Sequence, residues 1–89
     1  MSDHTDGATF IVHRLHRLTE NETDYQLTLD DLADEIIRRE ARLAETFEPR
    51  ARADLADEIA NRVDQLGPLL ARLDATRQEI ALAESLLAL

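Results

Sequence analysis

The chain has 89 residues, of which 19 are acidic and 10 are basic, and its formal net charge is −9. A chain of this length forms one domain with a modest core, so packing against a second copy would add stability. The absence of cysteine excludes disulfides, thiol nucleophiles and thiolate metal sites. No apolar run approaches the roughly 20 residues that a membrane span needs, and the polar start is unlike a signal peptide. We therefore expect a cytoplasmic protein without membrane contact.

The first elements in chain order are a tail, a helix and a short strand. Residues 1–7 lack periodicity and predict a disordered tail, followed by a single helical domain over residues 8–89. Apolar residues recur at helical spacing over Ala8–Leu18 and predict a first helix. Residues 19–24 are polar and predict a connector. Alternating apolar and polar residues over 25–29 predict a very short strand.

Two further helices are predicted in the middle of the chain. One begins at Thr28, whose hydroxyl can cap the first turn, and ends before Pro49. The next runs from Arg50 to Leu66, where Gly67-Pro68 supplies a terminator and a residue suited to start a new helix. The apolar faces of these helices predict one buried cluster, formed by Phe10, Leu15, Leu32, Ile36, Leu55, Ile59 and Val63.

The C-terminal segment, residues 68–89, fits two structures. Helix propensity favours a helix, whereas the local alternation over 78–84 is compatible with a strand, as in a two-stranded wing over 74–84. Its leucines present more apolar surface than a monomer of this size covers easily. We therefore expect a homodimer with a self-contact at Leu82, Leu86, Leu87 and Leu89.

The segments His13–Leu18 and Leu27–Ile36, with Arg39-Glu40 close behind, resemble the small winged-helix domains of haloarchaea. The resemblance covers residues 10–45 clearly and 50–73 loosely. It implies a mainly α fold with a winged-helix-like three-helix core, a short strand or wing, and a C-terminal helical segment. It also implies a DNA-binding transcriptional regulator of helix-turn-helix type, in which the third helix lies in the major groove.

The resemblance implies that residues of the third helix contact double-stranded DNA, because arginine, asparagine and glutamine can pair with base edges. These residues are Arg50, Arg52, Asn61, Arg62 and Gln65. An acidic chain repels DNA in dilute buffer. Its basic residues are all arginine, a bias that suggests a halophilic source, where molar salt shortens the Debye length to about 3 Å and screens this repulsion.

A second periodicity in the C-terminal half supports another function. Five aliphatic residues lie seven residues apart, the spacing of a coiled-coil seam, namely Ile59, Leu66, Leu73, Ile80 and Leu87. Leu55, Leu69 and Ala83 occupy the matching second positions, with interruptions at Arg62 and Thr76. Because a proline inside a helix costs about 3 kcal/mol, Gly67-Pro68 predicts two helices packed as a hairpin or dimer seam. The alternative function is a helical coiled-coil or bundle module for protein interaction, without nucleic-acid binding.

Residues that could carry chemistry are few. His13 and His16 could reach one metal ion, but no cysteine and only distant acids are available to complete a ligand set, so a solvated helix face is expected. Asp30 and Asp31 are better explained as charge at a helix start than as an acid-base pair. The isolated glycines exclude a phosphate-binding loop. We therefore expect no enzyme activity, no cofactor, no metal and no small-molecule substrate.

Overall fold

The computed structural model describes residues 3–89, with side chains from residue 7 onward, and contains two long helices. Helix α1 is Asp3–Glu45 and helix α2 is Pro49–Leu87, so three residues connect them. No strand occurs in the described part of the chain. The predicted winged-helix-like three-helix core, with its short strand and wing, is therefore wrong.

Helix α1 absorbs four segments that were predicted separately: the first helix, the connector, the strand and the second helix. The polar connector over 19–24 is helical because its hydroxyls are satisfied inside the helix. Thr19 and Thr23 donate to the carbonyl oxygens four residues earlier, at 2.9 and 3.1 Å. Of the expected tail, residues 3–7 belong to α1, and residues 1 and 2 lie outside the described part.

One stripe of α1 is shielded from solvent, and its members are separated alternately by four and three residues. This mean spacing of about 3.5 residues is the heptad repeat of a coiled coil. The stripe consists of Ile11, Leu15, Leu18, Glu22, Tyr25, Leu29, Leu32, Ile36, Arg39 and Leu43, and its spacing continues to Thr46 just beyond the end of α1. Its polar members, Glu22 and Arg39, hide the repeat in the sequence.

The heptad repeat predicted for the C-terminal half is confirmed in α2 as far as Ala83, whereas Leu87, its last predicted member, is 39% exposed. Its buried and half-buried residues are Ala51, Leu55, Ile59, Arg62, Leu66, Leu69, Leu73, Thr76, Ile80 and Ala83. The predicted break at Gly67-Pro68 is wrong, because α2 continues through Pro68. Pro68 is exposed, and the preceding Gly67 has no Cβ to clash with the proline ring. The cost of the proline is thus offset by a seam that continues on both sides of it.

The chain divides into two compact units. The hairpin unit is residues 27–71, and the terminal unit combines the residues up to 26 with residues 72–89. In the hairpin unit, Glu35 pairs with Arg62 and Arg39 with Glu58. From the first pair to the second, the position on α1 rises from 35 to 39, whereas the position on α2 falls from 62 to 58. The two helical segments of this unit are therefore antiparallel.

The terminal unit has the same antiparallel arrangement. Arg14 pairs with Glu79, and eight residues further along α1 Glu22 pairs with Arg77, which lies before Glu79 on α2. The ions are roughly half exposed, so each pair is worth little on its own, about 0–1 kcal/mol. The pairs identify which residues of the two helical segments lie at the same level, that is, at the same height along the helix axes.

The connection between the helices is capped from both sides. Glu48 accepts hydrogen bonds from the backbone amides of Arg50 and Ala51 at 3.1 and 2.7 Å, and it precedes Pro49 at the first helical position. Arg52 Nη1 donates to the carbonyl oxygens of Leu43 and Thr46, at 2.8 and 2.7 Å, at the end of α1. The break before Pro49, which the sequence predicted, is present.

The core of each unit consists of the row of side chains along which its two helical segments face each other. Its buried apolar residues are Leu18, Leu29, Leu32, Ile36, Leu55, Leu73 and Ala83, and no large side chain in the described part is completely buried. Leu32, Ile36 and Leu55 are buried as predicted, but Phe10 and Val63 are 62% and 47% exposed. The single predicted cluster is wrong because a pair of helices buries only the face that each turns to the other.

Candidate interaction surfaces

Two arginines occupy seam positions of the hairpin unit, where a coiled coil usually carries aliphatic residues. Arg62 Nε donates to Glu35 Oε2 at 3.0 Å, and the arginine side chain is 23% exposed. Arg39 Nη1 donates to the carbonyl oxygen of Glu35 at 3.1 Å, while its Nε lies 3.7 Å from Glu58 Oε2, too far for a hydrogen bond. These pairs form in one register of the helices only, so we expect them to specify register more than to add stability.

The terminal unit carries a polar position in its own seam. Glu22 accepts from Arg77 Nε at 3.0 Å, and Arg77 Nη2 also donates to Gln26 Oε1 at 3.1 Å. One arginine thus joins two side chains that lie one helical turn apart on α1. This contact explains why the polar connector predicted over 19–24 remains part of the packed helix.

Two of the residues expected to read DNA serve the fold instead. Arg62 is held in the seam by Glu35 and also donates to the carbonyl oxygen of Glu58, at 3.0 Å. Arg52 caps the end of α1 through the carbonyl oxygens described above. Arg62 is half-buried, and the exposed Arg52 has its Nη1 occupied by two carbonyl oxygens, so neither guanidinium is free for a bidentate contact with a base edge.

The other three expected DNA contacts lie at the surface of α2. The backbone amide of Arg50 is engaged by Glu48, and its side chain is exposed. Asn61 and Gln65 are exposed neighbours on one face, and Gln65 Nε2 donates to the carbonyl oxygen of Asn61 at 3.2 Å. A helix-turn-helix needs a supporting helix crossing the reader. Such a helix is absent from residues 3–89, so the helix-turn-helix DNA-binding arrangement is wrong.

The hairpin unit has one exposed apolar side, which we call the alanine-rich face. Its members on both helices follow one another at spacings of three, four or seven residues, as a single stripe requires. On α1 they are Ala33, Ile37 and Ala44, and on α2 they are Ala53, Ala56, Ala60, Val63, Gly67 and Leu70. Ile37, Val63 and Leu70 are 62%, 47% and 54% exposed.

The ion pairs of the hairpin unit show that the two stripes lie side by side. Ile37 lies two residues beyond Glu35, and Ala60 lies two residues before its partner Arg62, so Ile37 and Ala60 are at one level. The same counting from Arg39 and its partner Glu58 places Ala44 at the level of Ala53. Each stripe also directly follows seam residues of its own helix, Ala33 after Leu32 and Ala56 after Leu55, and these positions share one side of an antiparallel pair. The alanine-rich face therefore spans both helices.

The opposite side of the hairpin unit is polar. It is formed by Thr28, Asp31, Glu35, Arg38 and Arg42 of α1 and by Asp54, Glu58, Asn61 and Gln65 of α2. Glu35 and Glu58, the acidic partners of the seam arginines, lie on this side. Within the hairpin unit, one side is therefore built for solvent, and the other carries mostly alanine, glycine and aliphatic residues.

The terminal unit exposes a separate apolar group near the chain ends. Phe10, Leu82, Leu86 and Leu89 are 62%, 62%, 46% and 99% exposed. Leu82 and Leu86 lie on α2 at helical spacing, and Leu89 lies just beyond the end of the helix. These are three of the four leucines that the sequence assigned to a self-contact.

Small-molecule and metal sites have little support in the described residues. Two surface depressions run along α1, one lined by His16, Thr19, Glu20, Thr23 and Asp24 and the other by Arg14, Arg17, Leu18 and Asn21. Each is lined by a single helix and so is not an enclosed site. Among the side chains described, those of residues 7–89, no group of three or more histidine or acidic residues is placed to hold a metal ion. Neither described helix has a stretch long and apolar enough to cross a membrane.

Comparison with protein families, with curated proteins and with solved structures finds no match to this chain. The class of protein is therefore defined by the structure alone. Each unit is an antiparallel helix pair with a heptad seam, and the chain is coiled-coil-like throughout its two helices.

Proposed function

We propose that this chain is a helical protein-interaction module, which associates through exposed helix faces and does not use nucleic acid. The observation that carries the proposal is the amount of aliphatic side chain left outside the seam. Within residues 7–89, eleven large apolar residues are strongly exposed, among them Phe10, Ile37, Phe47, Val63 and Leu70. A soluble monomer exposes single apolar residues commonly, but contiguous apolar stripes mark surfaces that bind another protein.

The accessible surface area supports the same function. The chain exposes 6706 Å² at a mass of 10.1 kDa. A folded monomer of that mass exposes about 5,300 Å². The excess of about 1,400 Å² is larger than the roughly 800 Å² that each partner contributes to a standard protein interface. A partner could therefore bury one such area and still leave the chain as exposed as an ordinary monomer.

The use of arginine argues against nucleic acid. Phosphate contacts supply most of the affinity of DNA-binding proteins, and they need accessible basic groups. Arg14, Arg39, Arg62 and Arg77 face carboxylates of the other helix, and Arg52 caps α1. The chain has 10 basic residues in all, so half of them are engaged within the fold, on a surface whose net charge is negative.

Sedimentation of the purified chain over a wide concentration range, in dilute and in molar salt, tests the proposal. We expect concentration-dependent association that strengthens with salt, because the net charge of −9 makes copies repel until it is screened. Mixed with a pool of duplex DNA in dilute buffer, the folded chain should not shift the duplexes. A chain that stays monomeric at every concentration, or one that shifts DNA, would refute the proposal.

A further inference from the structure

We propose that the alanine-rich face of the hairpin unit is the surface on which a second copy of this chain docks, so that two hairpin units form a four-helix arrangement. This inference rests on the proposed function and names its partner and its surface. The stripe on α2 runs from Ala53 to Leu70 through six successive positions without a charge. On α1 the same side includes two acids, Asp30 before Ala33 and Glu40 between Ile37 and Ala44, so the uncharged part of the face lies mainly on α2.

The shape of the face fits a two-fold partner. On α2 its members are mostly small, Ala53, Ala56, Ala60 and Gly67, whereas on α1 the exposed Ile37 projects from the same side. A Cβ placed on Gly67 would meet no atom within 4 Å, so the groove over this row is open. In a two-fold pair, α1 of one copy crosses α2 of the other, and the projecting Ile37 of each copy packs against the small residues of α2 in its partner.

The size of the face agrees with a specific but modest dimer. Eighteen residues of helix from Ala53 to Leu70 span roughly 27 Å, and two packed helices are roughly 20 Å wide. The projected area is then roughly 500 Å², close to the 600 Å² per partner at the small end of specific interfaces. The absence of charge on α2 matters here, because two copies that each carry −9 can approach closely only where both are neutral.

The test compares neighbouring substitutions that change the charge equally. Ala60→Arg places a cation in the alanine-rich face, and Asn61→Arg places the same cation on the adjacent polar side of α2. Leu86→Arg places a cation in the exposed apolar group of the terminal unit. Self-association is measured by sedimentation equilibrium in molar salt, and helicity by circular dichroism confirms that each variant is folded. If Ala60→Arg does not fold, Ala56→Arg on the same stripe replaces it.

We expect Ala60→Arg to weaken self-association by roughly tenfold or more, the loss typical of a residue at the centre of an interface, while Asn61→Arg associates like the unsubstituted chain. Equal association of folded Ala60→Arg and the unsubstituted chain would overturn the inference, as would equal losses at Ala60 and Asn61. A loss confined to Leu86→Arg would overturn it but leave the proposed function intact, because the contact would then lie in the terminal unit. A monomeric unsubstituted chain would overturn both.

Discussion

Replacing Pro68 with alanine should stabilise the chain, although Pro68 lies in the middle of a helix seam. A proline in a helix interior costs about 3 kcal/mol relative to alanine, through the lost amide donor and the clash with the carbonyl four residues earlier. The unfolded chain regains about 0.4–1 kcal/mol of freedom when the proline is removed. The side chain is exposed, so no packing is lost. The net gain is about 2 kcal/mol.

Thermal and urea unfolding at one fixed protein concentration measure this gain, since self-association would otherwise shift the midpoint. For a domain of this size, about 2 kcal/mol raises Tm by roughly 8–16 °C. Pro49→Ala is the matched control, because Pro49 occupies the first position of α2 and blocks no hydrogen bond there. Unchanged or reduced stability of Pro68→Ala would mean that α2 does not run continuously through residue 68.

Two further predictions concern the seam. Ile36→Ala should cost about 2–5 kcal/mol, because Ile36 is 8% exposed, whereas the 57% exposed Leu27 should lose far less on the same change; equal losses in urea unfolding would show that the buried face is assigned wrongly. A double-mutant cycle of Glu35→Gln and Arg62→Gln should give a coupling of about 1 kcal/mol, since the hydrogen bond between them is charge-assisted and only partly screened; a coupling near zero would leave the pair without a structural role.

The C-terminal half was the more predictable half of the fold. Aliphatic residues from Ile59 to Leu87 keep their seven-residue spacing, so the sequence shows the seam directly. The break before Pro49 was also predictable, because a proline excludes the helical conformation from the residue before it. The break predicted at Pro68 is wrong, because the sequence shows only part of the energetics at this position. Its local penalty is visible in the sequence, whereas the packing that outweighs it depends on residues of the other helix.

The N-terminal half was not predictable from the same rules. Glu22 and Arg39 stand at seam positions, and each is compensated by a side chain more than fifteen residues away in the sequence. Without that knowledge, the polar run over 19–24 resembles a connector and divides one helix into several elements. The expected DNA contacts were implied by the winged-helix fold, and that fold is wrong. The sequence assigned Arg62 to contact with DNA bases and treated it as an interruption of the heptad repeat. In the structure, Arg62 is a seam residue paired with Glu35.

The alanine-rich face could have been found in the sequence, once α2 was known to be one helix. About a third of the residues are charged, yet the stripe from Ala53 to Leu70 carries no charge at six successive positions. Solvent exposure alone gives no reason to keep charge from such positions, since charged side chains are good helix formers and improve solubility. Alanine and glycine contribute little burial within one helix pair, but they allow another helix to approach closely. The composition of this side therefore has a physical reason if a second helix layer covers it.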